Sequence, residues 1–165
     1  MTGPTGMTAT FVAVDQCPTN GNPKCVSGHL DLSHAAYAAV VPANYVNGGE
    51  VPNSDPVSWH YVPCAVTGNI DYHFDTGTSE YWLAVQIRNA RYGIAKIRFR
   101  PSGTTTFSDA TDRTDGYAYY TASLNKTTSL DFQVVDEYGH VLEDDDVSIA
   151  ANADRTGSGQ FPLCP

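Results

Sequence analysis

The 165-residue chain is 41% hydrophobic, enough for a packed core and too much for a disordered chain, and its length suits one ordinary domain or two small ones. Nine basic against eighteen acidic side chains leave a formal charge of -9. That is the wrong sign for nucleic-acid phosphates or an anionic bilayer, so neutral partners are expected.

No apolar run approaches the ~20 residues of a spanning helix, and no basic-then-apolar leader opens the chain, which reads as soluble. Residues 8–14, TATFVAV, predict a β-branched and aromatic strand, and PTNGNP (18–23) a dense turn. Ser33 is placed to cap an alanine-rich helix of about two turns, HAAYAAVV, which Pro42 stops. A loop, NGGEVPNSDP, leads into a predicted strand VSWHYVPC (57–64). From Ala65 onward the pattern becomes strands separated by short turns, and we place a boundary near Pro63.

In NIDYHFD (69–75), Ile70, Tyr72 and Phe74 share one face while Asp71, His73 and Asp75 share the other. YWLAVQIRNA points Leu83, Val85 and Ile87 inward and Trp82, Gln86 and Arg88 outward. GIAKIRFR, GYAYYTASL, SLDFQVVD and DVSIAAN repeat the habit at the spacing of a β-sandwich. Between the last two, LEDDD (142–146) lacks the spaced ligands and glycine of a calcium loop and reads as a solvated turn.

Four cysteines allow three pairings. Neither Cys64 nor Cys164 has a neighbouring cysteine, and His60 near Cys64 completes no ligand set, so no metal is expected and disulfides are favoured. The preferred pairs are Cys17 with Cys25 and Cys64 with Cys164, implying an oxidising compartment. His34, His60, His73 and His140 are scattered, with surface or packing roles by default. Asn125-Lys126-Thr127 is a glycosylation acceptor if the source is a eukaryote. There is no phosphate-binding glycine loop and no Gly-x-Ser-x-Gly turn.

By parity Trp82, Tyr117 and Tyr119 project away from the core, with Tyr81 beside them. Each large ring left in water forgoes burial worth ~1.5–3 kcal/mol. A pyranose ring presents axial C–H bonds to a π cloud and keeps its hydroxyls at the edge, so a row of rings suits a sugar chain. Cross-strand aromatic pairing that merely stabilises the sheet is the other explanation. The pattern alone leaves both open.

CPTNGNPKCVSGHLDLSHAAYAAV, PVSWHYVPCAVTGNIDYHF, EYWLAVQIRNARYGIAKI and GQFP resemble, in order, the bacterial and fungal branch of the expansins, most specifically in GHLDLS and WLAVQIRN. The resemblance implies a mainly β chain: residues 1–62 as the C-terminal part of a double-psi β-barrel, then an immunoglobulin-like β-sandwich, 63–165, that is a cellulose-binding module. It implies a secreted protein that binds cellulose and related plant cell-wall glucans and loosens walls without hydrolysis, with no cofactor and no catalytic residue.

His29-Leu30-Asp31 is similar to the family's His-Phe-Asp signature. Asp31 then matches the aspartate on which loosening depends, with Asp15 as the other acidic residue of the groove. Tyr81, Trp82 and Tyr117 match the family's cellulose-binding positions, and Tyr119 lies on the same side by parity. Related endoglucanases use two carboxylates. Asp31 resembles their acid and the base is missing, so Asp31 is expected to hydrogen bond to glucan hydroxyls. Asp75 and Glu80, where relatives often carry basic residues, would repel pectin and leave neutral cellulose unaffected. The alternatives are a carbohydrate-binding module with a non-functional barrel remnant, and a weak glycanase or peptidoglycan lyase.

Overall fold

Residues 1–13, 23, 25–41, 57–112 and 119–163 are described by the computed structural model. The chain divides into two units, Met1–Val62 and Pro63–Pro165.

In the first unit Ser33 caps helix α1 (His34–Ala38), its hydroxyl accepting from the Ala36 N–H at 3.2 Å. The helix is shorter than the sequence suggests. Val40 and Val41 leave it through hydrogen bonds from both their N–H groups to the Tyr37 carbonyl. Tyr37, Val40 and Val41 form a small core against Met1, Ala9, Phe11 and Leu32. Gly3 is required there because a Cβ would stand 1.9 Å from the Val40 carbonyl oxygen.

Two predicted strands of this unit are not formed among the described residues. Thr8 of 8–14 makes only a bridge to Thr2, and Ser58 of 57–64 only another bridge to Thr2. Strand-forming residues become a strand only where a partner backbone lies alongside, and here that contact lasts one residue.

The second unit carries β1 (Asp71–Phe74), β2 (Trp82–Arg88), β3 (Ile94–Pro101), β4 (Ser108–Asp109), β5 (Thr111–Asp112), β6 (Tyr120–Ser123), β7 (Ser129–Asp136), β8 (Val141–Ser148) and β9 (Asp154–Thr156). Antiparallel pairing arranges them as β5-β6-β2-β1-β9 and β4-β3-β7-β8. Alternation decides the faces. Tyr72, Phe74, Leu83 and Val85 of the first sheet meet Ile97, Phe99, Leu130, Phe132 and Val134 of the second in one core. The Tyr72 and Phe132 rings lie 4.9 Å apart.

The LEDDD segment is a correction, since it lies within β8 and not in a turn. Asp144 faces inward and is buried. It accepts from the Tyr72 hydroxyl at 2.8 Å and from the Ser158 N–H at 2.6 Å. Burial, then the Asp144 charge and hydrogen bond, push the Tyr72 phenol far above its ordinary pKa. Gly157 leaves room for this pair, because a Cβ there would stand 2.7 Å from Asp144 Oδ2. Glu143 and Asp145 point outward, where Arg100 lies 3.7 and 3.6 Å away.

That outer face is an ionic ladder. Lys96 and Arg98 pair with Asp109, and Arg100 with Asp131 at 2.9 Å. Burial by itself raises the Asp131 pKa. Hydrogen bonds from the Asp146 N–H, Arg100 and Ser102 more than reverse this, leaving the carboxyl below its usual range. Lys96, by hydrogen bond, likewise lowers Asp109. The Phe107 ring lies under Arg100 at 4.4 Å and Arg98 at 5.4 Å.

The cysteines depart from the preferred pairing at one place. Cys64 is a free, half-buried thiol, so the expected bridge to Cys164 is not made. Its N–H is instead tied to the Arg91 carbonyl at 2.8 Å. Cys25 is buried and, unlike Cys64, is not a free thiol. Cys17 and Cys164 lie outside the described residues.

Candidate functional site

The turn from β1 to β2 sets the geometry of the outer face of the first sheet. Asp75 accepts from the Gly77 N–H at 2.8 Å and the Thr76 hydroxyl at 3.2 Å, folding the chain back. Asp75 is thereby engaged in the turn, a role the sequence pattern did not reveal. Thr78 is buried, its hydroxyl donating to the Ala84 carbonyl at 3.0 Å and accepting from the Ala84 N–H at 3.2 Å. From the other side the Leu124 N–H donates to the Tyr81 carbonyl at 2.8 Å and the Thr127 N–H to the Glu80 carbonyl at 2.9 Å. The backbone of Glu80-Tyr81-Trp82 is thus held between two segments.

From this frame the Tyr81 and Trp82 side chains stand out into water, 56% and 42% exposed. Neither ring makes a ring or cation contact among the described residues. The Glu80 carboxylate, by hydrogen bond and then by charge, raises the Tyr81 phenol above its ordinary pKa. Trp82 lies opposite Ser123 and Ala84 opposite Thr121, so the floor beyond Trp82 is built of small side chains.

Further along β2, Tyr120 pairs with Val85, which brings Tyr119 beside Gln86. Tyr119 is half-buried, and its ring lies 6.3 Å from that of His73 on the opposite flank of β2. The structure therefore brings Tyr81, Trp82 and Tyr119 to one sheet. Tyr117 lies outside the described residues. At the far end of β2, Asn89 adopts φ 53° and its side-chain amide donates to the Thr67 and Asn69 carbonyls at 2.8 and 2.7 Å. This left-handed stop explains the asparagine that closes WLAVQIRN.

In the first unit Asp31 is exposed, its side chain 75% accessible, with His29 Nε2 at 3.6 Å from Oδ1. Both precede the Ser33 cap. Asp15 lies outside the described residues. Among the described residues no helix is long and apolar enough to cross a membrane.

No family model matches the chain. Over 142 residues it is 28% identical to an expansin of Bacillus subtilis, Expansin-YoaJ, covering 86% of this chain and 54% of that protein. Expansin-like protein 2 of Dictyostelium discoideum is 36% identical over 106 residues, 63% of this chain and 24% of that protein. The chain thus spans about half or less of the length of the curated relatives it matches. Its fold is similar to the crystal structure of the apo expansin of Clavibacter michiganensis, with a TM-score of 0.74 and 27% identity over 99% of this chain and 73% of the other. A mutant of that expansin in complex with cellohexaose matches in fold at a TM-score of 0.53 and 22% identity, over 62% of this chain and 50% of the other.

Proposed function

Because the chain belongs with the expansins in sequence and in fold, we propose that its second unit binds cellulose-type glucan on the outer face of β5-β6-β2-β1-β9. One observation carries this reading. Tyr81 and Trp82 are exposed at the head of the central strand, on a backbone fixed from both sides, while Tyr72, Phe74 and Phe132 fill the core behind them. Rings left in water on a rigid frame offer uncovered apolar faces, and a neutral pyranose chain offers the matching face of C–H bonds. The cellohexaose held by a protein of similar fold is in keeping with this ligand class.

The first unit, as an expansin-type barrel remnant, contacts glucan through Asp31, with His29 3.6 Å from it and Asp15 as the second acidic candidate. An exposed carboxylate is placed to accept hydrogen bonds from glucan hydroxyls, and we assign it that role in a non-hydrolytic wall-loosening protein. Secretion to an oxidising exterior, with Cys25 bridged to Cys17, completes the reading, supported by the buried Cys25 sulfur that is not a free thiol.

A pull-down on microcrystalline cellulose tests the binding. The wild-type protein is expected in the pellet, and a Tyr81→Ala/Trp82→Ala variant in the supernatant. Retention of that variant at the wild-type level overturns the proposal. Asp31→Ala is expected to pellet normally and to lose activity in a wall-creep assay. Release of reducing sugar from cellulose would transfer the protein to the glycanase reading.

A further inference from the structure

His73 has no part in the aromatic row expected from the family resemblance, yet it stands on the same face in an organised setting. On β1 it lies opposite Gln86 of β2 and opposite Asp154 of β9. Its Nδ1 is 2.7 Å from Asp154 Oδ1. In the neutral imidazole, a carboxylate partner accepts the Nδ1 hydrogen bond and Nε2 is left to accept one. Asp154 is in turn 3.8 Å from Arg88, whose Nε donates to Gln86 Oε1 at 2.7 Å. The Tyr119 ring lies tilted at 53° to the imidazole, 6.3 Å away across β2. The His73 side chain is only 14% exposed, so an edge of a well-held ring reaches the surface.

We propose that His73, oriented by Asp154 and flanked by Tyr119, is a second glycan-contacting station, accepting a hydroxyl hydrogen bond further along the chain held at Tyr81 and Trp82. The inference rests on the glucan-binding reading above. Trp82 and Gln86 are four residues apart on one strand, roughly 13 Å at ~3.3 Å per residue. Ala84 and Thr121, small and buried, lie between them. A short sugar on Trp82 does not reach His73, whereas a hexasaccharide spans both. Length of the ligand is therefore the quantity that separates a binding role from a structural His–Asp contact joining β1 to β9.

The test is an NMR titration of the wild-type chain and His73→Ala with cellobiose and with cellohexaose, a method that reads weak affinities. Loss of one hydrogen bond and part of a stacking surface is expected to weaken cellohexaose binding about five- to tenfold and to leave cellobiose binding unchanged. Asp154→Asn, which weakens the orientation of the imidazole and removes the charge beside Arg88, is expected to give a smaller loss with the same length dependence. If His73→Ala does not fold, Tyr119→Ala addresses the station from another strand. Equal losses for both sugars, or none for cellohexaose, overturn the proposal. Failure of the wild-type chain to bind cellohexaose at all refutes the glucan-binding reading itself.

Discussion

The two outer faces of the sandwich each carry aromatic rings, and they treat them differently. On β4-β3-β7-β8, Phe107 is covered by the guanidinium groups of Arg98 and Arg100, which also engage Asp109, Asp131, Glu143 and Asp145. On β5-β6-β2-β1-β9, Tyr81 and Trp82 have no such cover among the described residues. A π face already held by a cation has little left for a ligand, whereas an uncovered one retains its burial energy for whatever lies against it. Exposure of an aromatic residue is thus a weak sign of binding until its neighbours are known.

The largest effect should come from removing the uncovered rings. Tyr81→Ala with Trp82→Ala is expected to weaken cellulose binding by about 3 kcal/mol or more, over a hundredfold, in a depletion isotherm. The thermal midpoint should move little, since both side chains project from the sheet.

Next is the pair that ties the backs of the two faces together. Asp144→Ala leaves the buried Tyr72 hydroxyl and Ser158 N–H unpaired, at a cost of about 3 kcal/mol in denaturant unfolding. Tyr72→Phe should cost less, because the Ser158 N–H still satisfies Asp144.

The covered ring offers the converse experiment. Arg100→Met strips one guanidinium from Phe107 and a cation from the buried Asp131. It should cost about 2 kcal/mol of stability and leave the cellulose isotherm within about twofold of wild type. A gain in binding on that face would show that any uncovered ring suffices and that the frame around Tyr81 and Trp82 adds nothing.

The smallest effect is on pH. Asp131 and Asp109 have folded-state pKa values below the ordinary carboxylate range. Their stabilisation is fully present above about pH 4, the unfolded value, and is lost as pH falls through the depressed folded values. Urea midpoints measured from about pH 5 to about pH 2 should fall over that window, and in Asp131→Asn the fall should be shallower.

Much of this contrast was legible in the residues. Period-two alternation placed Tyr72 and Phe74 inside, Trp82 and Arg88 outside, and located β7 at SLDFQVVD, because the large apolar side chains of those strands share one face. Ser33 announced its helix by side-chain chemistry that acts over three residues. Legibility failed where a partner distant in sequence decides the outcome. LEDDD reads as a turn until Tyr72, Ser158 and Arg100 are seen to take up its charges. Residues 8–14 and 57–64 have strand composition, but their only ladder contacts among the described residues are bridges to Thr2. Cys64 looked like half of a bridge and is a free thiol.

By itself, then, the order of residues determined which side chains of each strand share a face and where the local caps fall, since both follow from geometry a few residues long. Only the tertiary structure decided that β1 and β6 flank β2, so that His73 and Tyr119 meet across Gln86, and that cations cover one ring while two others stay bare. Strand order joins residues far apart in the chain, and no local periodicity encodes which of them become neighbours.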